Sequence, residues 1–168
     1  MDCLFFLYFF MKFYTVNDQY IQCLKGIDNK VVNNYDGDRN YVGVVFSINE
    51  VSYYAPLTSY KIKQDSLSDN LITLFKIHER GNPNNKLGMI MLNNMIPVPD
   101  TEITEVQFDL STPKGKMMQK QYEFISINKD EILTRAQKLH SSITSGKARY
   151  KKISNDFSLL ENYLLQRK

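Results

Sequence analysis

Between Leu110 and Thr112 the hydrophobic pattern changes period, and no other feature of the sequence constrains the fold as much. Before that point apolar residues alternate, as Val42, Val44, Phe46 and Ile48 do in "YVGVVFSI" and Val106, Phe108 and Leu110 do in "TEVQFDL". A period of two is that of a half-buried strand. After it Met117, Gln121, Phe124 and Ile125 recur at helical spacing, followed by Ile132, Leu139 and Ile143. Strands first and helices last imply an α+β domain with a mainly antiparallel sheet and its helices concentrated in the C-terminal third.

Local signals place the elements. "KFYTV", Lys12 to Val16, reads as a first strand, and Asn17 or Asp18 caps a short helix carrying Tyr20, Ile21 and Leu24. "VNNYDGDRN" is a polar loop. The runs on either side of Asn49 and Glu50 form a hairpin. "LITLFKIHE" and "KLGMIML" are further strands around the turn-rich "RGNPNN", and Pro97 and Pro99 confine "NNMIPVP" to an edge. "TEVQFDL", Thr104 to Leu110, is the last strand. Thr112 caps the first long helix with Pro113 at its first position. Asn128 with Glu131, and Ser158 with Glu161, have the spacing of capping boxes for two later helices.

A chain of 168 residues is long enough for one domain with its own core, and 11–168 is read as that domain. The opening "MDCLFFLYFF" has no basic segment before it and no small-residue cleavage site after it, and it is too short to cross a bilayer. Residues 1–10 are therefore read as an apolar N-terminal extension, with Met11 the favoured natural start. No membrane partner is expected. Cys3 and Cys23 have no metal-ligand spacing, His78 and His140 lie far apart, and the seven glycines form no phosphate loop. No cofactor or metal is expected.

The formal net charge is only +3, yet Lys114 to Lys152 holds ten Lys or Arg against three acids. Such a local excess attracts polyanions by counterion release, although a solvated helix face has the same composition. Chemistry must use hydroxyls, amines or a histidine. "APLTSYK" is the densest such place: Pro56 ends the sheet ladder, Thr58 and Ser59 leave it, and Lys61 shares a side with Ser59 if the chain stays extended. A hydroxyl near an ammonium suits a phosphate, and an ordinary turn also explains it. His78 beside Glu79 is a second candidate, although strand alternation sends the two to opposite faces. His140 belongs to the surface of a basic helix. Tyr35 and Arg39 stand four apart in the polar loop, where a ring stacks on a base and a guanidinium grips a phosphate.

The order of "KFYTV", "YVGVVF", "YYAPLTSYK", "FKIHERGNPNNKLGMIMLNNMIPV", "TPKGKMMQKQYEFI" and "NDFSLLE" resembles the ToxN/AbiQ family of endoribonuclease toxins from type III toxin–antitoxin systems, from Met11 to about Tyr163. The resemblance implies a compact, twisted, partly open barrel of antiparallel strands like that of MazF and Kid toxins, and metal-independent RNA cleavage in the cytoplasm. It implies a small repeated antitoxin RNA, folded as a pseudoknot, in a closed RNA–protein complex whose precursor the toxin processes. Cellular or phage transcripts cut at adenine-rich sites would be the substrates, with growth arrest or abortive infection the result. The family's essential serine falls on Ser59, the preceding threonine on Thr58 and the following lysine on Lys61. Its loop tyrosine falls on Tyr35 and its loop lysine on Arg39, which keeps the charge but cannot act as a proton donor.

On this reading the substrate's own 2′-hydroxyl attacks, Ser59 and Thr58 orient it, and Lys61 and Arg39 stabilise the charge that develops. Unstacked bases would lie on Tyr35, Tyr53, Tyr60 and Tyr122. Lys114, Lys116, Lys120, Lys147, Arg149 and Lys151 would follow the antitoxin backbone. A non-catalytic RNA-binding regulator and a type II toxin with a protein antitoxin are the competing readings.

Overall fold

The computed structural model describes residues 11–167, so the extension read at 1–10 lies outside the described residues. The strands are β1 (Lys12–Val16), β2 (Tyr41–Ile48), β3 (Val51–Thr58), β4 (Phe75–Glu79), β5 (Asn82–Ile90), β6 (Ile96–Pro97) and β7 (Ile103–Glu105). The helices are α1 (Asp18–Ile27), α2 (Pro113–Ile127), α3 (Lys129–Thr144), α4 (Ala148–Ile153) and α5 (Phe157–Gln166). All pairings are antiparallel, in the order β4-β5-β3-β2-β1-β7, and β6 also pairs with β3. The open sheet followed by C-terminal helices is the α+β arrangement that the change of period dictates.

Alternation along β3 and at the start of β2 divides the apolar residues between two cores, while a register shift between Gly43 and Phe46 breaks the expected alternation of β2 and sends Val44 to the opposite core from Val42 and Phe46. Val42, Tyr53 and Ala55 join Met118, Ile125, Ile132 and Leu139 of α2 and α3. Tyr41 and Tyr54 join Tyr20, Ile21 and Leu24 of α1 on the other side. α5 serves both, with Phe157 and Leu164 in the first core and Leu160 in the second. It therefore locks the two layers together.

Several local expectations hold. Asn17 accepts a hydrogen bond from the Gln19 N–H at 3.0 Å and caps α1. Thr112 accepts from the Gly115 N–H at 3.0 Å, with Pro113 opening α2. Gly115 itself is obligatory for packing, since a Cβ there would lie 1.8 Å from the Asp109 carbonyl oxygen.

Others fail for identifiable reasons. The last strand stops at Glu105 rather than Leu110, because Asp109 begins the turn into α2: its carboxylate accepts from the Ser111 N–H and hydroxyl, and its carbonyl from Thr112. Leu110 is left 54% exposed. "LITLFKIHE" is a strand only from Phe75, because the carbonyls of Leu71 and Leu74 accept from Arg135 and that of Thr73 from the Asn93 N–H. The turn of "RGNPNN" shrinks to Arg80–Gly81, and Pro83 sits inside β5 where β4 is the neighbour.

Pro56 does not end the ladder. β3 runs on to Thr58, since Pro56 removes one donor only: its carbonyl accepts from the Met91 N–H, and the Leu57 N–H donates to Asn40. The α2 stripe buries Met118 in place of Met117. Asn128 stands at the N-cap of α3 as expected, but its side chain makes no capping bond and donates instead to the Phe124 carbonyl at 2.8 Å. Asp156, not Ser158, caps α5 by accepting from the Leu159 N–H.

Glu161 is not a capping partner either. It accepts from the Tyr53 hydroxyl and meets His140 Nε2 at 2.6 Å. His140, read as a surface residue, is 5% exposed and stacks on Phe157 with the planes 6° apart. Helical spacing cannot distinguish a buried polar pair from an exposed one when its partner, Tyr53, comes from a distant strand.

Candidate functional site

The end of β3 is held by β5 on one side and by the turn that follows it on the other. Leu57 and Thr58 pair with Ile90 and Met89 of β5. Thr58 packs so closely on Gly88 that a Cβ there would fall 2.3 Å from the Thr58 carbonyl oxygen, and Gly88 has φ +128°. Only glycine adopts that backbone at that contact without strain. Beyond the strand, the buried Gln64 donates from Nε2 to the Ser59 carbonyl at 3.2 Å. Ser59 itself is exposed. Its backbone is thus fixed while its hydroxyl faces solvent.

The polar loop reaches this exit through Arg39. The guanidinium donates to the Asn33 carbonyl at 2.6 Å and the Leu57 carbonyl at 3.2 Å, and it lies 4.8 Å over the Tyr35 ring. None of these partners carries a negative charge to neutralise the guanidinium. Among the described residues neither Arg39 nor Lys61 has a carboxylate within ion-pairing distance. Tyr35 and Asp36 have φ of +51° and +55°, and Tyr35 is 59% exposed. Left-handed non-glycine residues persist only where surroundings hold them. Here Asn34 does so: fully buried, it donates to the Val16 carbonyl and the Asp18 carboxylate, both at 3.1 Å, and its carbonyl accepts from the Gly37 and Arg39 N–H groups.

The structure therefore joins Tyr35, Arg39, Thr58 and Ser59 into one frame. Lys61 follows on the same exit, extended at φ −136° and ψ 141° and exposed, and it opens the short helical turn Ile62–Ser66. Three residues that sequence reasoning missed support this frame: Asn34, Gln64 and Gly88. A buried asparagine at the head of a polar loop carries no one-dimensional signal, and a glycine in "KLGMIML" reads only as a weakened strand.

Beside the exit lies a cleft of about 560 Å³, bordered by Tyr60, Gln64, Gly88, Phe75, His78 and Phe124 among others. The Asp65 carboxylate accepts from Lys86 Nζ and from the Tyr60 hydroxyl, each at 2.7 Å. Those bonds, Lys86 first, hold its carboxyl below the usual carboxylate range. His78, the second catalytic candidate, points Nδ1 at the Glu79 carbonyl at 2.9 Å and rests against Phe124 with centroids 4.1 Å apart. Glu79 turns away to Asn85 and Lys120, so the two form no dyad.

The basic residues fall into different classes. Lys114 and Lys116 are exposed in the first turn of α2, and Lys147, Arg149 and Lys151 are exposed on or beside α4. Lys120 is paired with Glu79 at 2.9 Å and is no free cation. Tyr122 is half-buried against Phe13 and Phe108. Tyr53, expected to offer a stacking surface, is 0% exposed and unavailable. Two groups of cations remain: one beside Asp109, the other on α4, whose Lys151 and Ile153 carbonyls accept from Lys30 and Asn93.

The chain as a whole is similar to proteins of known activity. Residues 12–165 match the family model described as toxin ToxN of type III toxin–antitoxin systems. The chain is 36% identical over 157 residues to endoribonuclease ToxN of Pectobacterium atrosepticum, covering 90% of each. It is 37% identical to endoribonuclease AbiQ of Lactococcus lactis subsp. lactis, covering 90% of this chain and 86% of that one. The solved structure of AbiQ, a lactococcal anti-phage endoribonuclease, superposes with a TM-score of 0.87 at 36% identity, covering 94% and 99% of the two chains. A chain solved in work on bacterial type III toxin–antitoxin systems and selective toxin inhibition by a non-coding RNA pseudoknot superposes with a TM-score of 0.80 at 32% identity, covering 93% of this chain and 96% of that one. The chain belongs to the ToxN family of type III toxin–antitoxin toxins.

Proposed function

We propose that the protein is an endoribonuclease, as the ToxN and AbiQ relatives are named, that it cuts single-stranded RNA at the β3 exit, and that it is held inactive by a small pseudoknot antitoxin RNA, in line with the toxin inhibition by a non-coding RNA pseudoknot described for a structural neighbour. We place its work in the cytoplasm, where both RNAs would be met. Among the described residues no helix is long and apolar enough to cross a membrane. The observation that carries the reading is the fixed Ser59 backbone flanked by the unneutralised charges of Arg39 and Lys61.

In the reaction the ribose 2′-oxygen bonds to the adjacent phosphorus and the bond to the 5′-oxygen breaks. The proton lost from the 2′-hydroxyl is balanced by one gained at the 5′-oxygen. The products are a 2′,3′-cyclic phosphate and a 5′-hydroxyl. Ser59 and Thr58 orient the attacking hydroxyl, and Arg39 and Lys61 face the charge on the five-coordinate phosphorus, which oriented donors stabilise more than they do the ground state. The Tyr35 ring keeps the Arg39 plane fixed. RNA carrying a 2′-deoxy residue at the scissile position is expected to survive incubation with the protein, while the all-ribo strand is cut in EDTA. Cutting of the deoxy strand, or abolition of cutting by the chelator, overturns this chemistry.

Lys114 and Lys116 oppose the positive end of the α2 dipole, an arrangement that lowers helix stability and raises local positive potential. The reading gives that potential to RNA phosphates. Lys114→Gln with Lys116→Gln is expected to lower the slope of log affinity against log salt by roughly one to two, measured with the antitoxin RNA by filter binding. An unchanged slope removes α2 from the interface.

A further inference from the structure

The cleft next to the exit differs in kind from the exit itself. Every charged side chain on its border has a counter-charge on the same border: Asp65 with Lys86 at 2.7 Å, Asp69 with Lys76 at 2.9 Å, and Glu131 with Arg135. Arg135 is further occupied, donating to the Leu71 and Leu74 carbonyls at 3.1 Å and lying 5.0 Å over the Phe75 ring. A charge-balanced cleft gains little from a phosphate. Its floor is aromatic and aliphatic, from Phe75, Ile77 and Phe124, with the His78 ring against Phe124.

A flat, neutral group bearing hydrogen-bonding edges suits such a lining, and the volume of about 560 Å³ is ample for a purine. Continuity with the cleavage frame is direct. Gly88 borders the cleft and touches the Thr58 carbonyl, while Gln64 borders it and holds the Ser59 carbonyl. Between Tyr60 and Gln64, which border the cleft, the turn after Lys61 raises Ile62, 82% exposed, between Lys61 and Lys63.

From this we infer that the cleft is the base-reading subsite of the enzyme: it takes one nucleobase, unstacked from the strand whose backbone crosses Ser59, onto the Phe124–His78 surface. The charged exit then holds the phosphate, and the neutral cleft sets which sequence is cut. The proposal rests on the nuclease reading for its substrate, but its test does not. The expected loss per stacked base on removing an aromatic partner is roughly five- to a hundredfold in affinity.

The probe is a 2′-O-methyl hexauridylate, which cannot undergo the cleavage, with a single 2-aminopurine placed at each position in turn. With the intact protein, one position is expected to show a large fluorescence change on binding. In Phe124→Leu that change is lost and affinity falls about tenfold. His78→Leu gives the same direction of change if Phe124→Leu does not fold. Lys61→Gln weakens binding but leaves the change at saturation. Uncleavable probe responding in the cleft while unmodified RNA stays uncut would remove the nuclease reading and keep the base site. RNA cut normally, with the same fluorescence in folded Phe124→Leu or His78→Leu as in the intact protein, overturns the base site alone.

Discussion

Replacing Ser59 by alanine is expected to lower RNA cleavage at least about a hundredfold, the usual size of losing one oriented hydroxyl or donor at a transition state, and to abolish growth arrest when the protein is produced without its antitoxin. The fold should be unaffected. The Ser59 side chain is exposed, and the contact that fixes this residue runs through its backbone carbonyl to Gln64 at 3.2 Å. Alanine retains that carbonyl. Melting temperature and antitoxin affinity should therefore stay near the parent values while turnover falls, separating a chemical role from a structural one. Equal growth arrest by the parent and Ser59→Ala proteins, at equal expression, would remove Ser59 from the reaction.

The second large effect is structural and lies directly against Thr58 in space, though far from it in sequence. Gly88→Ala sets a methyl 2.3 Å from the Thr58 carbonyl oxygen at a residue with φ +128°. Both the backbone and the opposing atom are constrained, since Thr58 is paired with Met89 and Ser59 is tied to Gln64. A left-handed residue with a side chain costs about 1–3 kcal/mol, and displacement of a paired strand adds to it. For a chain of this size a loss of about 3 kcal/mol lowers the melting temperature by roughly 6–12 °C. Because relief of the clash must move Thr58, activity should fall even below the melting range. A variant that melts with the parent would mean that β3 and β5 separate at this point at little cost.

These two predictions differ in how visible their residues are before folding. Ser59 stands in "APLTSYK", where the motif and the family resemblance both single it out. Gly88 is one of the glycines scattered through the sequence, and its importance arises only when β5 meets the exit of β3. Arg39 lies between these cases. Its charge and its distance from Tyr35 were readable, but its bond to the Leu57 carbonyl at 3.2 Å, which attaches the loop to the exit, depends on residues 18 positions apart. The failed readings follow the same division. Asn128 and Ser158 have the spacing of helix caps, yet the cap of α5 goes to Asp156, whose own N–H is anchored by the distant Asp28 carboxylate, and the Asn128 side chain turns back to Phe124.

Local chemistry in the sequence determined the order of strands and helices, the caps at Asn17 and Thr112, and the hydroxyl and amine cluster at Thr58, Ser59 and Lys61. Short-range rules suffice for these because apolar period, turn residues and helix-end donors act within a few residues of one another. Tertiary structure alone decided that His140 is buried against Glu161, that Lys120 is neutralised by Glu79, and that Gly88 presses on Thr58. Burial and pairing of polar groups are properties of what surrounds them, and for these residues the surroundings come from distant strands and helices brought together by folding.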